Sequence, residues 1–110
     1  MPRDPLDLLQ GTLDVLILKT LTWGPKHGYA VAQWLRETTS DEFSVEDGAL
    51  YTALHRMEHR RWLAAEWGVN EENRRVKLYT LTADGRKELR ARTALWSRYV
   101  SAVQRVLGPA

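Results

Sequence analysis

The chain of 110 residues contains no cysteine. That excludes disulfide staples, thiolate nucleophiles and cysteine-bound metal together, and makes a cytoplasmic protein the expectation. Long apolar runs are missing as well. The longest uninterrupted aliphatic stretch, Val15 to Leu18, is far short of the roughly 20 residues a membrane-spanning helix needs. Arg3, Asp4 and Asp7 sit where a secretion signal would need apolar residues. A soluble chain with no membrane partner is expected. A strong excess of one charge sign is missing too: 16 Lys and Arg against 14 Asp and Glu leave a formal net charge of only +2. At 44% hydrophobic residues, the chain can build one modest core and not two, which leaves little volume for an enclosed substrate site.

The charge that is present is unevenly placed. Residues 1–40 balance at zero, whereas nine basic residues from Arg74 to Arg105 stand against two acidic ones, Asp84 and Glu88. A phosphate backbone attracts such a surplus, although a solvated basic helix face has the same composition.

Apolar residues at spacings of three and four (Leu6, Leu9, Leu13, Leu16, Ile17 and Leu21) predict an amphipathic first helix over about residues 6–22, ended by Gly24 and Pro25. Gly11 weakens its early part, so a start at Thr12 is the alternative. A second helix is predicted from Gly28 to Thr38. Ser44 with Asp47 fits a capping box opening a third helix. Leu50, Leu54 and Met57 form its buried stripe, while Tyr51, Thr52, His55 and Arg56 occupy the other face. That mixture of hydrogen-bonding and cationic side chains suits base edges better than an idle solvent face.

Alternation through Leu63, Ala65 and Trp67, a polar turn from Gly68 to Asn73, and the run Val76 to Leu81 predict a hairpin. Its tip ends in Arg74 and Arg75. Thr82 reads as the N-cap of a last helix from Ala83 to about Leu107, stopped by Gly108 and Pro109. The fold class is therefore mainly α with a small two-stranded β wing: a winged helix-turn-helix over residues 1–82 and a long C-terminal helix over 83–110, forming one compact unit. In that layout the third helix enters the major groove and the wing touches adjacent backbone. Winged helices also serve as protein-interaction modules, and that alternative stays open here.

About 25 residues at 1.5 Å each make the last helix nearly 40 Å long, more than a domain of this size is wide. Its apolar stripe nonetheless continues to the end: Leu89, Trp96 and Val103 are seven apart, with Tyr99, Val100, Val106 and Leu107 on the same side. A second copy of the chain is the simplest cover, and Leu9 and Leu13 are expected to join these residues in a homodimer interface. Trp96 would then lie near its symmetry mate, where paired indoles can sandwich a flat aromatic effector. Plain core packing is the competing reading. Trp23, Trp34, Trp62 and Trp67 read as structural, the last two bracing the wing.

One enzyme-like signal exists. His55-Arg56-Met57-Glu58-His59 matches a zinc-protease pattern in which two helical imidazoles hold the metal and the glutamate activates water. No third ligand accompanies it, and the Leu50–Leu54–Met57 stripe makes this an ordinary packed helix. No metal site, no cofactor and no catalysis are expected.

Several motifs resemble those of the PadR-like transcriptional regulators over nearly the whole chain. They are Gly11-Thr12-Leu13-Asp14, His27-Gly28-Tyr29, Gly48-Ala49-Leu50-Tyr51 with Leu54 and Met57-Glu58, Asn73-Arg74-Arg75 with Lys77, Tyr79-Thr80-Leu81-Thr82, Gly85 and Trp96. The resemblance implies a bacterial repressor that binds double-stranded DNA at an inverted-repeat operator as a dimer held by its C-terminal helix, often with effector relief. It implies that Gly48, Ala49, Tyr51 and Thr52 start the groove-reading helix, that His27, Gly28 and Tyr29 contact backbone, and that Arg74, Arg75 and Lys77, beside Asn73, clamp phosphate. The chain departs from the usual pattern at Ala49, where serine is common, at Thr52, where proline is, and at Arg61, where glycine often ends the reading helix.

Overall fold

The first helix begins where Gly11 turns the backbone into the left-handed region, at φ 85°. The structure, a computed structural model, describes residues 11–109. Of the two starts open to this helix, the one at Thr12 is found: α1 runs Thr12–Thr20 and tightens into a 3-10 turn, Leu21–Trp23. Leu6 and Leu9 lie outside the described residues. α2 spans Gly28–Thr38, α3 Asp47–His59, β1 Leu63–Val69, β2 Arg75–Leu81 and α4 Ala83–Leu107.

The core lies where α1, α2, α3 and the base of the hairpin meet. Ile17, Leu18, Val31, Leu50, Leu54 and Met57 are fully buried there, each contributing about 1.5–3 kcal/mol by leaving water. The expected α3 stripe is thus the one that packs. The strands pair antiparallel from Leu63↔Leu81 to Val69↔Arg75. Lys26 adds a bridge to Tyr79, with backbone hydrogen bonds of 3.1 and 2.9 Å, and so ties the segment before α2 to the wing.

Three helix ends show how local chemistry sets the boundaries. His27 caps α2, its Nδ1 accepting from the Ala30 amide at 3.2 Å. The capping box expected at Ser44 does not form. α3 starts at Asp47 with Glu46 at the N-cap and no side-chain cap bond; Val45 packs against the core, which draws the chain out extended and leaves Ser44 two residues short of the cap. At the other end of α3, the Trp62 amide donates to the Met57 carbonyl and the Arg61 amide to the Glu58 carbonyl, a Schellman closure that needs a left-handed residue at position 61. Arg61 supplies it at φ 64°.

Thr82 caps α4 as expected, its hydroxyl accepting from the Gly85 amide at 2.9 Å. Gly85 cannot be larger: a Cβ there would lie 2.1 Å from the Trp62 carbonyl oxygen. Leu89 is buried among the core residues of its own chain. This corrects its assignment to a dimer interface, because the first turns of α4 lie against α1 and the hairpin base and their apolar side is already covered. Leu13 is likewise half-buried against this core. Further along, α4 leaves the body. Its far end is open to water, Val106 being 84% and Leu107 78% exposed. The radius of gyration, 15.4 Å, accordingly exceeds the roughly 13 Å of a compact domain this size.

Candidate nucleic-acid interface

The buried side of α3 is apolar, and everything polar that the helix carries is left on its other face. Gly48, Ala49, Tyr51, Thr52, His55 and Arg56 are all exposed, so the face singled out from the sequence exists as a continuous surface. Beside it lies a cleft of about 520 Å³ whose walls include His27, Gly28 and Tyr29 at the start of α2, Tyr51 of α3, and Trp67, Arg74, Arg75 and Lys77 of the wing. Folding thus brings three separate stretches of the predicted site around one concavity. Gly48, Ala49, Thr52 and His55 lie on the α3 face outside it. Gly28 permits the closest approach: a Cβ there would stand 2.8 Å from the Tyr51 ring. His27 and Tyr29 stack at 6.3 Å between centroids.

The cations of the site fall into two groups. Arg56 donates both terminal nitrogens to Asp14, at 2.6 and 2.8 Å. Those hydrogen bonds, opposed only in part by burial, raise the guanidinium pKa above its ordinary value. Lys77 is bound to Glu58 at 2.9 Å, which likewise raises its ammonium pKa. Both therefore join elements of the fold: Arg56 ties α3 to α1, and Lys77 ties the wing to α3. Arg74 and Arg75 are exposed. Arg74 approaches Glu72 only loosely, at 3.8 Å, and Arg75 lies over the Trp67 ring at 4.4 Å.

Asn73 shapes the wing tip through its backbone, at φ 61°. The residue that organises the turn is Asn70, whose Oδ1 accepts from the Glu72 and Arg74 amides at 3.0 and 2.9 Å. An asparagine opening a polar turn was the available signal for it. Trp62 is packed against the core as a brace should be, whereas Trp67 is 61% exposed and its ring meets the wing through Arg75 on the facing strand. The hairpin extends past the end of the core, so the alternation that buries Leu63 carries Trp67 into solvent. Trp23 is similarly exposed, with Lys19 over its ring at 5.4 Å.

A second concavity, of about 350 Å³, opens between the start of α1 and the middle of α4. Gly11, Thr12 and Val15 form one wall and Arg92, Leu95, Trp96 and Tyr99 the other. Trp96 and Tyr99 stack at 5.9 Å. Val100 and Val103 are half-buried, and Leu95, Tyr99, Val106 and Leu107 are exposed. The zinc-like motif gathers no ligand set: His55 and His59 are exposed, and no group of three metal-ligating side chains occurs among the described residues. Among those residues, no helix is long and apolar enough to cross a membrane.

Residues 17–91 match the family described as "Transcriptional regulator PadR-like family". A PadR family transcriptional regulator from Eggerthella lenta is similar in structure, with 30% identity and a TM-score of 0.78, covering 92% of this chain and 86% of its own. A PadR family transcription regulator from Clostridium difficile gives 29% identity and a TM-score of 0.73 over 88% of this chain and 98% of its own. A transcriptional regulator from Clostridium thermocellum shares the fold at a TM-score of 0.80, with 24% identity, covering 87% of this chain and 90% of its own.

Proposed function

Because the chain belongs to the PadR-like family of DNA-binding transcriptional regulators, we propose that it is a cytoplasmic repressor that binds an inverted-repeat operator as a homodimer. The observation that carries this reading is the shared cleft: the start of α2, Tyr51 of α3 and the cationic wing surround one concavity beside the exposed α3 face. In the proposed complex that face enters the major groove, with Tyr51, Thr52 and His55 toward base edges and Gly48 and Ala49 letting the helix start approach closely. Arg74 and Arg75 neutralise flanking phosphates, while Lys77 and Arg56 keep the parts in register. A protein-interaction module would not need exposed cations set beside a hydrogen-bonding helix face.

The apolar distal part of α4 supports dimerisation, through Trp96, Tyr99, Val100, Val103, Val106 and Leu107. The cleft between α1 and α4, with its stacked Trp96 and Tyr99, supports a flat aromatic effector bound near the dimer axis. Two reading helices in such a dimer must lie about one DNA turn, near 34 Å, apart.

The test is anisotropy of the duplex upstream of the protein's own gene against a scrambled duplex, over a salt series, with particle mass measured alongside. Tight, selective, salt-steep binding by a dimer is expected. Unselective binding or none by the folded protein would favour the interaction module, and a monomer would remove the role given to α4.

A further inference from the structure

We infer that Trp67 is itself a DNA-contacting residue: with Arg75 it forms a two-part clamp on the wing, the guanidinium edge taking a phosphate and the indole packing on the neighbouring deoxyribose. The inference rests on the DNA-binding reading above and adds a contact that the motifs do not contain.

Strand register places the pair. Leu63, Ala65, Trp67 and Val69 share one hairpin face with Leu81, Tyr79, Lys77 and Arg75 across from them. Leu63, Tyr79 and Leu81 are buried, and the core ends there, so the next rung outward, Trp67 opposite Lys77, is the first in solvent. Lys77 is held by Glu58 of α3 at 2.9 Å, which sets that rung at a fixed distance from the reading helix. Trp67 is not a lone exposed aromatic. Tyr29 and Tyr51, also exposed, line the same cleft, and together the three rings turn an apolar surface toward whatever the cations attract.

The geometry of Arg75 identifies that ligand. A guanidinium lying over a ring at 4.4 Å covers one face of the indole, and its five N–H donors need an acceptor that the ring does not supply. Among the described residues no carboxylate lies within ion-pair distance of it. A planar fork of donors beside an uncovered apolar face fits the alternation of a nucleic-acid backbone, in which anionic phosphate and C–H-rich sugar follow one another. Because Arg75 covers the indole on one side, the ring is suited to pack against a sugar and not to sandwich between bases.

The full chain is tested by anisotropy with its upstream duplex, in variants Trp67→Ala, Trp67→Phe and Arg75→Ala. Trp67→Ala should weaken binding about tenfold at every salt concentration, the scale of taking some tens of Å² of apolar ring and sugar surface out of water. Its salt slope should stay unchanged, since no charge is lost. Trp67→Phe should keep most of the affinity, and Arg75→Ala should lower the slope by about one. Acrylamide quenching gives a second readout: duplex should protect part of the tryptophan emission in the wild type, and that part should be missing in Trp67→Phe. If the wild type binds duplex while Trp67→Ala binds equally well, or Trp67 stays open to quencher in the complex, the clamp is overturned and the DNA reading survives. If the wild type binds no duplex, both fall.

Discussion

The carboxylate of Asp14, 6% exposed on α1, receives both terminal nitrogens of Arg56, 42 residues away on α3, at 2.6 and 2.8 Å. Arg92 of α4 stands behind it at 3.7 Å. One buried anion thus joins α3 to α1 and to α4, the helix proposed for dimerisation. Breaking a fully buried pair by removing one partner costs about 3–5 kcal/mol. The Arg56 side chain is 41% exposed, so water screens the loss. Asp14→Asn should therefore destabilise the fold by about 1–3 kcal/mol, measured by urea unfolding. An unchanged midpoint would show that this joint carries no stability.

A substitution at Gly28 is expected to separate stability from binding. A methyl group at position 28 meets only the far end of the Tyr51 ring, which can swing aside. Gly28→Ala should shift unfolding stability by less than about 1 kcal/mol while weakening operator binding, because Tyr51 loses its place in the cleft. Loss of both together, by denaturation and anisotropy, would place Gly28 in the fold and not in the site.

Arg61 holds a left-handed conformation that glycine adopts without strain. Arg61→Gly should stabilise the protein by about 0.5–1 kcal/mol, the left-handed penalty partly offset by the freer unfolded chain. For a domain near this size that raises Tm by a few degrees. A lower Tm in a calorimetric scan would mean that the stacking of Arg60 on Trp62, at 5.2 Å, depends on the residue after it.

Stability should fall on the alkaline side. Burial raises the Tyr79 hydroxyl pKa above its ordinary value, the nearby Lys77 opposing this only in part, and the hydrogen bond to Glu58 raises that of Lys77. Both groups hold their protons more tightly folded than unfolded. Their contributions are thus complete below about pH 10 and are lost as pH climbs through the raised values. Tyr79→Phe should flatten the decline above about pH 10, checked by urea midpoints on either side of that value. An equal slope in the variant would contradict the assignment.

The distal end of α4 offers a test of assembly. Val106→Glu with Leu107→Glu puts charge on two side chains already open to water in the single chain, so folding should be unaffected. In a dimer the same charges would be buried unpaired. The double variant should sediment as a monomer and bind the operator at least about tenfold more weakly, since 1.4 kcal/mol is a tenfold change. A dimer of unchanged mass would place the interface elsewhere.

Much of this molecule was legible along the chain. α2 and α4 have the bounds their periodicity, glycines and caps predicted, because those signals act within one or two turns. The hairpin and the exposed polar face of α3 were legible for the same reason. What the chain did not reveal has one cause in common. Ser44 was a plausible cap until burial of Val45 stretched the chain past it. Leu89 continued an apolar stripe, yet the surface that covers it comes from elements far back in the sequence. Arg56 and Lys77 were read only as cations set to contact DNA, and the carboxylates that hold them in the folded chain lie 42 and 19 residues away.

Local rules therefore sufficed for which segments coil, which pair, and which side of each is apolar: backbone hydrogen bonding and residue spacing operate over a few residues. Which cations remain available for a phosphate, whether an aromatic braces the core or stands in water, and where the apolar stripe of α4 passes from its own core to an open surface were set by packing. Those properties depend on distances between side chains that come close only when the chain is folded, and no spacing in the sequence encodes them.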